Sequence, residues 1–110
     1  LLTPFNADSD DEATSKFVST YKEQFGDVPN QFAADAYDCV WSIYNAIKDE
    51  EIAADISASD LCDKLIAKFT SADFSYNGLT GENMTWDETG AVSKSPKGMV
   101  IQDGVYVGLD

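Results

Sequence analysis

Apolar side chains in the first quarter of the chain recur every four residues, which is the spacing of one helix face. The residues that share this spacing are Phe17, Tyr21 and Phe25. The pattern predicts a helix over residues 12–25 whose aromatic face is buried. Gly26 ends this helix, because glycine adopts the left-handed conformation of a helix C-terminus at little cost, and Pro29 keeps the helix from continuing.

A second helix is predicted over residues 31–48, in the segment QFAADAYDCVWSIYNAIK. Its apolar positions form a stripe of Ala33, Ala36, Tyr37, Val40, Tyr44 and Ile47. Trp41 and Ile43 widen this stripe beyond a single seam, which predicts a helix that is covered on more than one side. The small residues of its first turn allow another backbone to approach closely.

The second half of the chain changes from a helical to a β-rich pattern. A third helix follows the polar segment KDEEIAADIS, with Ser57 or Ser59 as its N-cap and an inner face of Leu61, Leu65, Ile66 and Phe69. Glycine and asparagine then interrupt short alternating stretches, which predicts short strands within residues 77–92. Asp103 and Gly104 stand between two β-rich runs and predict a closing hairpin.

The charge and the missing residue types narrow the possible functions. Twenty acidic residues against seven basic ones give a net charge of −13, which repels nucleic-acid phosphates and anionic lipid. The chain has no histidine, the commonest metal ligand and the base of every imidazole triad.

The segment GLTGENMTWDETG is neither a dinucleotide fingerprint nor a P-loop. No hydroxyl or thiol has a recognisable activating partner. The sequence therefore predicts a protein that is not an enzyme, uses no cofactor and does not bind nucleic acid.

The acidic segment NADSDDE has two interpretations. Its oxygen-bearing side chains are spaced two residues apart, as in a calcium loop, but an EF-hand needs a glycine and a bidentate acid where this chain has Asp11 and Phe17. The favoured interpretation is a solvated helix N-terminus capped by Ser9 or Asp10. A looser cation site is the alternative.

Two further residue pairs have a structural interpretation as well as a chemical one. Asp35 and Asp38 lie three residues apart, but this spacing does not distinguish a catalytic pair among twenty acids, and the helix dipole is enough to explain Asp35. Cys39 and Cys62 lack the spacing of a metal site. The favoured interpretation is that both are buried as small apolar residues, with a disulfide as the alternative.

The order of these features resembles part of a known family. The segments that carry the resemblance are FVSTYKEQFGDVPNQFAADAYDCVWSIYNAI and FSYNGLTGENMTWDETGAVSKSPKGMVIQDGVYV, which are similar to the last third of the type I periplasmic binding proteins, in particular the solute receptors for branched-chain amino acids of ABC importers. The matching residues are Phe17, Tyr21, Phe25, Gly26, Pro29, Ala34, Ala36, Tyr37, Asp38, Gly78, Thr80, Gly81, Trp86, Asp87, Gly90, Gly104 and Tyr106. Because the chain also begins in an apolar run without methionine, we expect a C-terminal piece of a longer protein.

The resemblance implies an α/β fold of two lobes, each a parallel sheet flanked by helices, joined by three crossovers and closing around a ligand by a hinge. Three helices, short strands and a C-terminal hairpin would come from this chain. Residues 1–5 would form a strand or crossover from the second lobe, and residues 6–95 the C-terminal part of the first lobe. Residues 96–110 would form the last crossover and the hairpin that returns to the second lobe.

By the same resemblance, the first turn of the second helix faces the ligand cleft. This makes Phe32, Ala34 and Asp35 the candidate ligand-binding residues. Some relatives carry an aromatic side chain at the position of Ala34, so alanine leaves more room for a ligand there. The groups that hold the carboxylate and the ammonium of an amino acid come from upstream sequence in this family.

The function that the resemblance implies is solute capture. The chain would be part of an extracytoplasmic binding protein that delivers an amino acid or amide to the permease of an ABC importer, and the full-length protein would be a periplasmic or extracellular lipoprotein. The alternatives are a receptor ectodomain of the same fold and a cytoplasmic sensor of the amidase-regulator type. Alone, the chain would expose helix faces meant for an absent sheet, so we expect it to associate with itself or with the missing remainder.

Overall fold

The computed structural model describes residues 2–109. Its elements follow one another as β1 (Leu2–Thr3), α1 (Glu12–Phe25), α2 (Gln31–Asp49), α3 (Ala58–Phe69), β2 (Lys97–Gln102) and β3 (Val105–Gly108). The three predicted helices and the closing hairpin are therefore confirmed. The predicted boundaries of 1–5 and 96–110 include residues 1 and 110, which lie outside the described residues.

For helix α1, the predicted C-cap is confirmed and the predicted N-caps are wrong. The N-cap is Asp11, whose carboxylate accepts a hydrogen bond from the Thr14 amide at 2.9 Å, so the predicted caps Ser9 and Asp10 are wrong. Gly26 ends the helix as predicted, with a φ of 72° and its amide bonded to the Lys22 carbonyl. Asp11 is the better cap because it stands three residues before the amide that it satisfies.

The aromatic face of α1 is only partly covered. Thr14 and Val18 are the buried residues of this helix, whereas Phe17 and Tyr21 are half-buried and Phe25 is exposed. The prediction of one buried aromatic face is therefore wrong for its C-terminal end. Val18 is buried instead of Phe17, because a core cluster lies beside the aromatic face. This cluster is formed by Phe5, Val18, Ala34 and Leu79.

Helix α2 buries its small and polar stripe rather than its apolar one. The buried residues are Ala34, Asp38, Ser42 and Ala46, at four-residue steps. The predicted inner face is largely in solvent, with Val40 68% exposed and Trp41 44% exposed. The prediction that this helix is covered on more than one side is therefore wrong for this chain, because Phe17 packs on Tyr37 while most of the apolar stripe stays exposed among residues 2–109.

Helix α3 packs against α2 by one side only. Ser57 caps it as predicted, accepting from the Asp60 amide at 3.1 Å. None of its residues is fully buried, and Ile66 of the predicted inner face is exposed. Cys62 on this helix and Cys39 on α2 are both free and exposed, so the prediction that they are buried is wrong.

Residues 76–92 form two short antiparallel pairings instead of full strands. Single bridges join Tyr76 to Met84 and Trp86 to Val92. The turn within the second pairing is held by Asp87, whose carboxylate accepts from the Thr89 hydroxyl, the Thr89 amide and the Ala91 amide. These hydrogen bonds lower the pKa of Asp87 below its usual value, and the bond from the Thr89 hydroxyl has the largest effect.

The two ends of the described chain meet in one antiparallel sheet of order β1-β2-β3. Leu2 pairs with Gly98, and Met99 pairs with Gly108 in the hairpin. The hairpin turn has positive φ at both Asp103 (51°) and Gly104 (82°), as a two-residue turn of the primed type requires.

The described part of the chain is elongated. Its dimensions are 50 × 30 × 21 Å and its radius of gyration is 16.1 Å, against about 13 Å for a compact domain of this length. The described part of the chain therefore combines a small core with long exposed apolar helix faces.

Candidate functional site

The first turn of α2 lies beside the N-terminal segment of the described chain. Asn30 caps the helix, accepting from the Ala33 amide at 3.0 Å. The next residue, Gln31, accepts a hydrogen bond from the Thr3 hydroxyl of β1 at 2.6 Å. The turn is therefore fixed at its own cap and to a segment 28 residues earlier.

The three predicted ligand-binding residues have three different environments. Ala34 is fully buried in the core with Phe5, Val18 and Leu79. Phe32 is 76% exposed on the opposite side of the turn. Ala34 therefore anchors the turn in the core, and Phe32 provides its accessible surface. Ligand contact by these residues stays a prediction.

Asp35, the third of these residues, is paired. Its carboxylate accepts a hydrogen bond from the Lys94 ammonium at 3.0 Å, across 59 residues of sequence. Both side chains are half-buried, with exposures of 28% for Lys94 and 31% for Asp35. Sequence reasoning did not identify Lys94, because no local spacing connects two residues so far apart in the chain.

Asp38 lies one turn further along α2 and fixes a loop. Its side chain is buried, and its two oxygens accept from the Leu79 amide (2.9 Å), the Thr80 amide (2.9 Å) and the Thr80 hydroxyl (2.7 Å). Gly78 is needed beside it, because a Cβ there would lie 2.5 Å from the Asp38 carboxylate. With both oxygens occupied, this carboxylate holds the loop in place and is not free to act on a substrate.

A groove of about 820 Å³ runs between α1, α2 and this loop. It is lined by Ala13, Lys16, Phe17, Thr20, Tyr37, Trp41, Tyr76, Asn77, Gly78, Leu79 and Glu82. Phe17 and Tyr37 meet at its floor with ring centroids 4.9 Å apart. Burial, the charge of Asp38 and the nearby Tyr37 raise the pKa of Tyr76 to about 12.

Phe17, Tyr37 and Trp41 of this groove belong to a continuous line of aromatic rings that crosses from α1 to α2. Neighbouring ring centroids are 4.7 to 6.1 Å apart along Phe25, Tyr21, Phe17, Tyr37, Trp41 and Tyr44. Such spacing is typical of packed aromatic clusters. These rings stabilise the contact between α1 and α2 and leave their outer faces uncovered.

The described part of the chain contains neither a cluster of metal-ligating side chains nor a membrane-spanning helix. Within residues 2–109, no three acidic or cysteine side chains come together where they could hold a metal ion. In the acidic segment, the Asn6 side-chain oxygen accepts from the Asp8 amide. No helix among the described residues is both long and apolar enough to cross a membrane.

Two comparisons by sequence, with protein-family models and with curated proteins, find no match for this chain.

Comparison of structures finds similar chains that are much longer. The structure of a protein assigned as a branched-chain amino acid ABC transporter of Rhodospirillum rubrum is 27% identical, with a TM-score of 0.67 over 99% of this chain and 30% of its own length. A leucine-binding protein of Thermotoga maritima is 22% identical, with a TM-score of 0.69 over 99% of this chain and 29% of that one. An ABC transporter substrate-binding protein of Desulfitobacterium hafniense is 20% identical, with a TM-score of 0.68 over 96% and 29% of the two chains.

These likenesses establish the fold. The chain has the fold of a part of the type I periplasmic binding proteins, and it spans about 30% of the length of the solved structures that it matches. The resemblance inferred from the order of motifs, and the predicted fold class, are therefore confirmed.

Proposed function

We propose that this chain is part of a solute-binding protein that captures a small amino-acid-like ligand between two lobes and delivers it to the permease of an ABC importer. The single observation that carries the proposal is the structural match to transporter and leucine-binding proteins over 96–99% of the chain. In this proposal the protein binds its solute without changing it chemically. It does so outside the cytoplasm, in the periplasm or at the cell surface.

The sheet of β1, β2 and β3 supports the two-lobed arrangement. The segments on either side of the helical part pair with each other, through Thr3 and Lys97 in particular. Two connections that run side by side restrict a hinge to one direction of bending, which suits opening and closing of a cleft. We propose that residues 6–95 belong to one lobe and that the flanking segments pass to the other.

Ligand contact would come from the first turn of α2. Phe32 offers an exposed aromatic ring, and burial of such a ring against an apolar ligand is favourable by about 1.5–3 kcal/mol. The turn is held by Ala34 in the core, by Thr3 on Gln31 and by Lys94 on Asp35. A contact fixed in this way loses little conformational entropy when the ligand binds.

A thermal-shift screen of the full-length protein against the standard amino acids and their amides tests the proposed function. A ligand that binds only the folded state raises the melting temperature by mass action, and the rise grows with ligand concentration. We expect a concentration-dependent rise for at least one of these solutes and none for nucleotides or sugars. A melting temperature that no amino acid or amide changes would contradict the proposal.

A further inference from the structure

The pairing of Asp35 with Lys94 determines which ligands the first turn of α2 can accept. Asp35 and Phe32 are three residues apart in one helix, so both side chains lie on the same side of the turn. An unpaired carboxylate beside an aromatic ring would attract a cationic ligand side chain. The Lys94 ammonium, 3.0 Å from the Asp35 carboxylate, already occupies that position.

Lys94 is held there by the structure around it. Its amide donates to the Val92 carbonyl at 3.1 Å, two residues after the bridge between Trp86 and Val92. Its aliphatic stem passes Gly81, where a Cβ would lie 3.7 Å from Lys94 Cγ. The charged end is thereby directed at Asp35, and the pair is half-buried rather than solvated on all sides.

We propose that Lys94 is a specificity-determining residue, which neutralises Asp35 so that the turn presents Phe32 as an apolar contact. The site then takes amino acids with an uncharged side chain and rejects those with a cationic one, because a second ammonium would meet Lys94 and find no free carboxylate. This inference rests on the proposed function and names the ligand class of that site. Selectivity then comes from the repulsion between Lys94 and a cationic side chain as well as from the apolar contact with Phe32.

Calorimetric titration of the full-length protein with leucine and with lysine tests this inference. The wild type is expected to bind leucine more tightly than lysine. Lys94→Gln frees the carboxylate and removes the repulsion, so the affinity for lysine relative to leucine should rise by about fivefold or more. Lys94→Arg keeps the cation and should keep the wild-type selectivity.

Two further variants separate the effect of the pair from that of net charge. Lys97→Gln removes the same charge three residues away, where no contact with Asp35 exists among the described residues, and should leave the affinity ratio unchanged. Asp35→Asn combined with Lys94→Gln removes both charges and should return the ratio close to the wild-type value. Circular dichroism melts of each variant establish that the protein titrated is folded.

The outcomes distinguish this inference from the proposed function. If the wild type binds leucine and Lys94→Gln leaves the ratio unchanged, or if Lys97→Gln raises it equally, the role of Lys94 is overturned and the proposed function stands. Tighter binding of lysine than of leucine by the wild type also overturns the role of Lys94. If the wild type binds no amino acid or amide, the proposed function fails and this inference fails with it.

Discussion

At the scale of single residues, the most constrained position is Asp38. A buried carboxylate is costly unless its oxygens are satisfied, and here three donors from Leu79 and Thr80 satisfy both of them. Gly78 leaves the space into which the carboxylate fits. The sequence indicated that Asp38 and Gly78 belong to a family pattern, but not that they meet, because their contact joins residues about forty positions apart.

Replacing Asp38 by asparagine should destabilise the protein. The amide retains one acceptor oxygen and turns an NH₂ donor toward groups that are themselves donors. We expect a loss of about 2 kcal/mol in the free energy of unfolding, measured by urea denaturation of the full-length protein. Asp63→Asn on the exposed side of α3 is the matched control and should change it by less than about 0.5 kcal/mol. Equal effects from the two substitutions would show that the hydrogen bonds of Asp38 do not matter.

Tyr76 gives the protein a pH dependence on the alkaline side. Its pKa is raised from 10.0 to about 12 by burial, by the charge of Asp38 and by Tyr37, so the folded state keeps a proton that the unfolded state loses. The stability that this provides is fully present below pH 10 and is lost as the pH rises toward about 12. We expect Tyr76→Phe to lose less stability than the wild type across that interval in urea denaturation. Parallel profiles for the two proteins would be evidence against the shift.

At the scale of elements, local signals were sufficient for the existence of the helices and the hairpin. Helical spacing, Gly26 and the Asp103-Gly104 turn act within a few residues of themselves, and these predictions are confirmed. Which face of a helix is buried depends on what packs against it. For α2 the burial falls on the small and polar stripe, because Asp38 meets its loop there and most of the apolar stripe is uncovered among residues 2–109.

The exposed apolar stripe of α2 should make the 110-residue chain associate when it is produced alone. Light scattering at raised salt, which screens the net charge of −13, should give a mass above 12.0 kDa. Val40→Gln combined with Trp41→Gln should lower the mass toward the monomer, because both side chains are exposed on that stripe. Val28→Gln, an exposed valine outside α2, is the control and should not. A monomeric wild-type chain with a cooperative melt would refute this prediction.

At the scale of the whole molecule, the elongated shape, the small core and the structural matches point in one direction. Helices with uncovered apolar faces and a sheet formed by the two ends of the described chain are what one part of a two-lobed binding protein would contain. The family pattern was sufficient to predict this fold. The ion pair of Lys94 with Asp35 could not be predicted, because it depends on the path of the chain between residues 76 and 94.

We propose above that the first turn of α2 contacts the ligand, and calorimetric titration of Phe32→Ala in the full-length protein tests this proposal most directly. The titrant is the solute that gives the largest thermal shift with the wild type. Removing an exposed ring that becomes buried against the ligand should raise the dissociation constant by about tenfold or more. Phe25→Ala, which removes an exposed phenylalanine at the C-terminal end of α1, should leave it unchanged. Equal dissociation constants for Phe32→Ala and the wild type would contradict the account.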